Sequence, residues 1–355
     1  MKKTIISDMT EGIDSAGIAL GGKILREGGL VAFPTETVYG LGGNALDAEA
    51  ARKIYEAKGR PSDNPLIVHI CAPEALEKIT AEVPETAKRL ADAFWPGPMT
   101  MIFRKSELVP ESTTGGLDTV AVRFPDHPVA LALIREAGGY VAAPSANTSG
   151  RPSPTLASHV WDDLRGRIDM IIDGGEVGIG IESTIVDLTG PEPVILRPGY
   201  ITQEMLEKVV GRVSLDRALD SDDPAVRPKA PGMKYKHYAP KAPLYIVEGG
   251  QSAVQETIAS LAEKAASEGK KVGVICTDES AENYRTGIVR SAGTRTDEAT
   301  VAAHLYRILR EMDALGADVI YAEAFDTAGI GMAVMNRLMK AAGHKVIHAG
   351  EEAQA

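Results

Sequence analysis

Cysteine is nearly absent from this chain. Its two cysteines, Cys71 and Cys276, stand far apart, with no CxxC pair and no histidine at zinc-ligand spacing. A disulfide scaffold and a zinc module are thereby excluded. No apolar run reaches the roughly 18 residues of a membrane span. The start, MKKTIISDMTEGIDS, lacks the apolar core of a signal peptide. No GxxxxGK[ST], HExxH or GxSxG occurs, so a P-loop, a zinc protease and a serine-hydrolase triad have no support. Positive charge is in deficit, with 38 Lys plus Arg against 49 Asp plus Glu and a net charge of −11. That balance argues against a non-specific nucleic-acid coat and leaves room for a local basic cleft. The expectation is a soluble, cytoplasmic protein.

What is present is ordinary globular material. The chain has 355 residues, 44% hydrophobic and 25% charged, which suits about two domains. In the first two hundred residues helix and strand signals alternate. Ile13, Ala16, Leu20 and Ile24 recur at helical spacing until Gly28-Gly29, and LVAF (30–33) then reads as a buried strand. Asp47 is placed to cap a helix carrying Ala50, Ile54 and Ala57 that ends at Lys58-Gly59. LIVHI (66–70), MTMIF (99–103), TVAVRF (119–124), YVAA (140–143), MIID (170–173), STIVDL (183–188) and PVIL (193–196) read as strands, with helices over 84–94, 128–137 and 202–209. So many β-rich runs predict an α/β domain with a curved mixed sheet.

Residues 212–243 hold five prolines and little apolar periodicity, which is linker composition. Their segment GMKYKHYAP nonetheless concentrates aromatic rings and cations. From Leu244 strands near 244–247, 271–276, 287–290, 318–323 and 345–348 alternate with helices over 252–267, 298–314 and 330–341. This pattern predicts a smaller, Rossmann-like parallel α/β domain. The expected division is 1–211, a linker at 212–243 lying over the active site, and 244–355. Gly329-Ile330-Gly331 opens a helix after a strand, but Val334 stands where a dinucleotide fingerprint needs glycine, so a tight turn is the simpler reading.

Chemistry is concentrated in polar clusters at strand ends. In PTETVYGLG (34–42) a strand stops at proline, and a hydroxyl-rich turn leads to glycines that let backbone approach a ligand. In KGRPSDNPLIVH (58–69) Lys58 and Arg60 sit at a helix C-terminus, where the dipole alone favours cations. Pro61 and Pro65 stiffen the loop and hold both cations beside a strand edge, and two fixed cations near a glycine turn make a reasonable polyphosphate clamp. APSANTSGRPSPT (143–155) offers hydroxyl and amide donors, although loop and cap chemistry explains many such runs. Arg123 in AVRFP and Arg197 in ILRPG sit in apolar strands without an obvious acid beside them. A buried arginine needs an anion, and a ligand can supply it. Together the clusters suggest an anion-binding cleft.

These motifs, with WPGPMT, LDTVAVRFPDHP, GIESTIVDL and, near the end, GIGMAVMNR, occur in an order that resembles the YrdC/Sua5 family in its long, two-domain Sua5 form. The likeness spans about residues 10–348, and the KxR (Lys58, Arg60) and SxN (Ser145, Asn147) signatures are intact. The resemblance implies a synthase that makes threonylcarbamoyl-AMP and pyrophosphate from L-threonine, bicarbonate and ATP. The product would feed t6A modification of adenosine 37 in tRNA through downstream transfer proteins. It further implies that Thr35, His69, Arg123, Ala143 and Ser183 surround threonine. Lys58, Ser62, Thr119, Ser145, Asn147, Ser153 and Arg197 would surround ATP, with Arg60 aiding the polyphosphate and Tyr235, His237 and Tyr238 of the linker over the nucleotide. Lys58 and Arg60 are the expected catalytic cations. Mg²⁺ is expected on the phosphates, with few protein ligands. Such a reaction needs positioning and charge stabilisation rather than a protein nucleophile. A non-catalytic RNA-binding module with the same fold is the alternative, and direct tRNA binding is left open.

Overall fold

The computed structural model describes residues 2–217, 229–231 and 237–350. The chain divides into two compact units, Met1–Ser149 with Ser153–Tyr235, and Gly150–Pro152 with Lys236–Ala355. No helix among the described residues is long and apolar enough to cross a membrane.

The strands of the first unit are β1 (Ile5–Asp8), β2 (Val31–Phe33), β3 (Gly40–Asn44), β4 (Ile67–His69), β5 (Met99–Arg104), β6 (Thr119–Arg123), β7 (Val141–Ala142), β8 (Met170–Asp173), β9 (Thr184–Asp187), β10 (Val194–Arg197) and β11 (Ser214–Leu215). They form one sheet in the order β1-β8-β2-β3-β7-β4-β6-β5-β9-β10-β11. Parallel and antiparallel pairs are mixed: β4 runs with β6 and against β7, and β5 runs against β6 and with β9.

Because strand side chains alternate between faces, the sheet has two distinct sides. On one, Val68, Met101, Val120, Val122 and Val186 pack under Ile54, Leu90, Val160 and Leu206 from four helices, forming the main core. On the other, the helices Ser15–Arg26 and Pro128–Glu136 cover only the portion carrying Val31, Phe33, Val141 and Met170. Beyond it, Ile67, Ile102, Ala121, Ile185 and Leu196 form an apolar cluster that has no helical member among the described residues. Among the described residues its one partner from outside the sheet is Ala230, fully buried there.

Two local expectations are corrected. The first helix exists, but Ile13 and Leu20 are exposed, and the buried face is Gly17, Ile18, Gly21, Gly22 and Leu25. Glycine is required because a Cβ on Gly22 would stand 2.3 Å from Glu136 Cγ in the helix packed against it. The glycines of PTETVYGLG lie in a strand rather than a ligand-cradling turn, since β3 pairs antiparallel with β2. A Cβ on Gly42 would stand 2.9 Å from Phe33 and Val141, so packing uses this glycine.

The second unit holds β12 (Leu244–Glu248), β13 (Val272–Cys276), β14 (Ile288–Ser291), β15 (Val319–Glu323) and β16 (Val346–His348). They form a parallel sheet in the order β14-β13-β15-β12-β16. Its helices are Gln251–Ser267, Glu298–Ala314 and Gly329–Ala342. At the Gly329 turn the Gly331 amide donates to Glu298 Oε2 at 2.7 Å, so the chain's own carboxylate caps that helix start.

Candidate active site

The part of the first sheet that no helix covers among the described residues gathers the polar residues. Thr119, Ala121 and Arg123 alternate onto one side of β6, Ile67 and His69 onto the same side of β4, and Thr100 and Ile102 onto that of β5. His69 is in register with Arg123 across β4 and β6, and Thr100 with Arg123 across β6 and β5. Arg123 is therefore flanked by an imidazole and a hydroxyl at one end of an otherwise apolar surface.

His69 is buried at 3% exposure. Its Nδ1 lies 3.1 Å from the Ile67 carbonyl, and its ring meets Phe33 edge-on at 6.3 Å. Burial, then the nearby Arg123 charge, pushes its pKa down to about 3. The imidazole is thus neutral, and because a carbonyl can only accept, Nδ1 carries the proton.

The sequence shows no acid beside Arg123, but the tertiary structure supplies one. Glu36 Oε1 lies 2.8 Å from Arg123 Nη2, with side-chain exposures of 14% and 5%. The pair is close without hydrogen-bond alignment: Nε and Nη2 of Arg123 and both Glu36 oxygens are buried with no hydrogen-bond partner among the described residues, as is Nδ1 of His127. Each such group costs about 1–3 kcal/mol if nothing satisfies it. Glu36 and His127 escaped the sequence reading because only folding brings residues 36, 123 and 127 together.

Thr35 is buried in the turn before β3, where its hydroxyl donates to the Val38 carbonyl at 2.7 Å and accepts from the Thr37 and Val38 amides. Ala143, also buried, donates its amide to the Ile67 carbonyl at 2.9 Å. Ser183 is fully buried and shares a 2.8 Å hydrogen bond with Thr100. Arg197 donates from Nε and Nη2 to the Ser183 carbonyl at 3.1 and 3.0 Å, and from Nη1 to the Pro231 carbonyl at 3.1 Å. It thus fixes Ser183 and ties residue 231 to this side of the sheet.

Lys58 and Arg60 are not loop-edge cations, as the sequence suggests, for they are 1% and 9% exposed. The helix Ala48–Lys58 ends in a left-handed Gly59 with φ 62°, which turns the chain inward. Lys58 Nζ donates to the carbonyls of Ser145 and Asn147 and lies 3.5 Å from Asn147 Oδ1. Arg60 donates to the carbonyls of Asn64 and Pro65 at 3.3 and 3.1 Å. The Ser145 hydroxyl donates to Asn147 Oδ1, so Lys58 and the SxN signature form one hydrogen-bonded unit. Ser153 is fully buried and donates to Glu182, Thr119 is half-buried at the start of β6, and Ser62 is exposed on its turn. His237 and Tyr238 are buried in the second unit, where Tyr238 packs against Tyr306 at 5.2 Å between ring centroids. Tyr235 lies outside the described residues.

Fold and site define an α/β protein that presents buried cations, a neutral histidine and hydroxyls on the helix-free part of a mixed sheet. Residues 23–199 match the family model described as telomere recombination, which covers Sua5, YciO and YrdC, and residues 201–343 match that of the threonylcarbamoyl-AMP synthase C-terminal domain. A threonylcarbamoyl-AMP synthase of Pyrococcus abyssi is 52% identical over 97% of this chain and 99% of its own, and one of Bacillus subtilis is 53% identical over 93% and 94%. The crystal structure of P. abyssi Sua5 complexed with L-threonine superposes with a TM-score of 0.92 at 50% identity, covering 98% of this chain and all of that one. The chain belongs to the Sua5/YrdC family, in its two-domain Sua5 form.

Proposed function

We propose that this chain is an L-threonylcarbamoyladenylate synthase, a nucleotidyltransferase that joins L-threonine, bicarbonate and ATP and releases pyrophosphate. The observation that carries the reading is the convergence of Arg123, Glu36, His69, Thr100 and Ser183, in the same unit that holds the hydrogen-bonded Lys58, Ser145 and Asn147. The arrangement offers partners for an amino acid's charged groups and buried cations for phosphates, and it needs no protein nucleophile. Threonine's amine and bicarbonate give a carbamate, whose oxygen attacks the α-phosphorus in line as pyrophosphate leaves. The chain's contribution is to orient the reactants and balance developing negative charge.

Threonine takes the Thr35, His69, Arg123, Ala143 and Ser183 end. ATP takes Lys58, Arg60, Ser62, Thr119, Ser145, Asn147, Ser153 and Arg197. The linker 212–243 closes over the nucleotide with Tyr235, His237 and Tyr238, a reading supported by Ala230 on the Ile67–Leu196 cluster and by the Arg197 bond to Pro231. Mg²⁺ travels on the ATP phosphate oxygens and offsets their charge. Among the described residues no group of three His, Cys, Asp or Glu side chains could hold a metal ion. The product passes to transfer proteins that build t6A on tRNA in the cytoplasm. The test is pyrophosphate release from purified protein. It should require threonine, bicarbonate and ATP together, and release with threonine omitted would refute the reading.

A further inference from the structure

The cluster around Arg123 has more unused polar capacity than a carboxylate ligand consumes. Arg123 Nε and Nη2, both Glu36 carboxylate oxygens and His127 Nδ1 are buried without hydrogen-bond partners among the described residues, although Glu36 and Arg123 approach to 2.8 Å. An ion pair serving only to hold the fold would align its donors and acceptors, since misaligned buried groups destabilise it. Glu36 is held firmly: its carbonyl accepts from the Ile179 amide at 2.9 Å, and the next carbonyl, of Thr37, accepts from Gly180 at 3.0 Å. His127 directly precedes the helix Pro128–Glu136, with no side-chain capping bond. A carboxylate and a guanidinium side by side, each with unfilled valences, match the ammonium and carboxylate that an α-amino acid carries on one carbon.

We propose that Glu36 receives the α-ammonium of threonine and accepts the proton it must lose, while Arg123 holds the carboxylate. The inference rests on the threonine reading above and assigns a role to a residue outside the KxR and SxN signatures and the expected threonine-binding set. Carbamate formation from an ammonium and bicarbonate leaves one proton over. An N–H bond breaks and its proton passes to a Glu36 carboxylate oxygen, which frees the nitrogen lone pair. That pair forms the N–C bond at the bicarbonate carbon. The carbon's bond to hydroxyl breaks, and the hydroxyl leaves as water with the amine's second proton. Glu36 returns its proton to solvent once the product departs. Burial lowers the His127 pKa against the opposing pull of Glu36 and Asp126, so that ring adds no competing cation.

The experiment pairs Glu36→Gln with 3-hydroxybutyrate, which is threonine without its amine. By calorimetry the wild type should bind threonine roughly tenfold or more tighter than 3-hydroxybutyrate, the scale of a charge-assisted hydrogen bond. Glu36→Gln should bind the two almost equally and keep its ATP affinity. Its pyrophosphate release should fall by about 10²–10⁴, the range for a general base. A variant that retains the threonine preference, or turns over like the wild type, overturns the role of Glu36. Wild type that binds no threonine at all would instead remove the reading beneath it. If the variant does not fold, the wild type still decides, because equal affinity for threonine and 3-hydroxybutyrate overturns the proposal.

Discussion

His69 and Arg123 stand in register on adjacent parallel strands, and burial, reinforced by that guanidinium, lowers the imidazole pKa to about 3. The unfolded chain protonates the same ring near 6.5. Above that pH both states are neutral and the ring contributes nothing to pH dependence. Between about 6.5 and 3 the unfolded state binds the extra proton, so stability is lost as pH falls, by up to about 1.4 kcal/mol per unit from this group. Denaturant titrations at pH 7 and pH 5 should show the loss, and His69→Gln should reduce the slope between them.

Lys58→Ala should cost both stability and turnover. The ammonium holds the carbonyls of Ser145 and Asn147 from a buried position, and removing it leaves them without their cation. The expected destabilisation is about 1.5–3 kcal/mol, read as a lower denaturation midpoint. Pyrophosphate release should fall by about 10²–10³. A variant with unchanged stability would show that the loop 145–147 does not depend on this contact.

Arg123→Lys keeps the charge and loses the planar two-pronged donor. Threonine affinity should weaken by about 1.5–3 kcal/mol, with ATP affinity measured alone nearly unchanged. Calorimetry on each substrate separates the cases, and equal losses for both would place Arg123 outside the threonine end.

Gly22→Ala probes packing remote from the chemistry. The added methyl would lie 2.3 Å from Glu136 Cγ and 2.9 Å from the Glu136 backbone, forcing the two helices apart. Overpacking of this kind costs about 1–3 kcal/mol. The melting temperature should fall while kcat/KM of the remaining folded enzyme stays near wild type.

Ala230→Glu would put a charge into the cluster of Ile67, Ile102, Ala121, Ile185 and Leu196. Residues 229–231 should then leave the sheet, which amide hydrogen exchange reads as lost protection. If residues 229–231 help to close the site, ATP should also bind more weakly to this variant.

Much of this molecule was legible as sequence because it depends on local chemistry. The Asp47 cap, the Gly59 stop and the alternating strands and helices after Leu244 follow from residues within a few positions of one another. The family signatures were likewise contiguous words. Tertiary structure decided what lies beyond that range. It turned the first helix onto its glycine face because Glu136, more than a hundred residues on, packs there. It buried Lys58 and Arg60, which their loop position alone made look exposed, because the Ser145–Asn147 loop folds over the lysine. It also brought Glu36 to Arg123 across 87 positions. Local patterning sets which way a strand faces, but the partner of a buried charge is chosen by the sheet order, which no short stretch of residues contains.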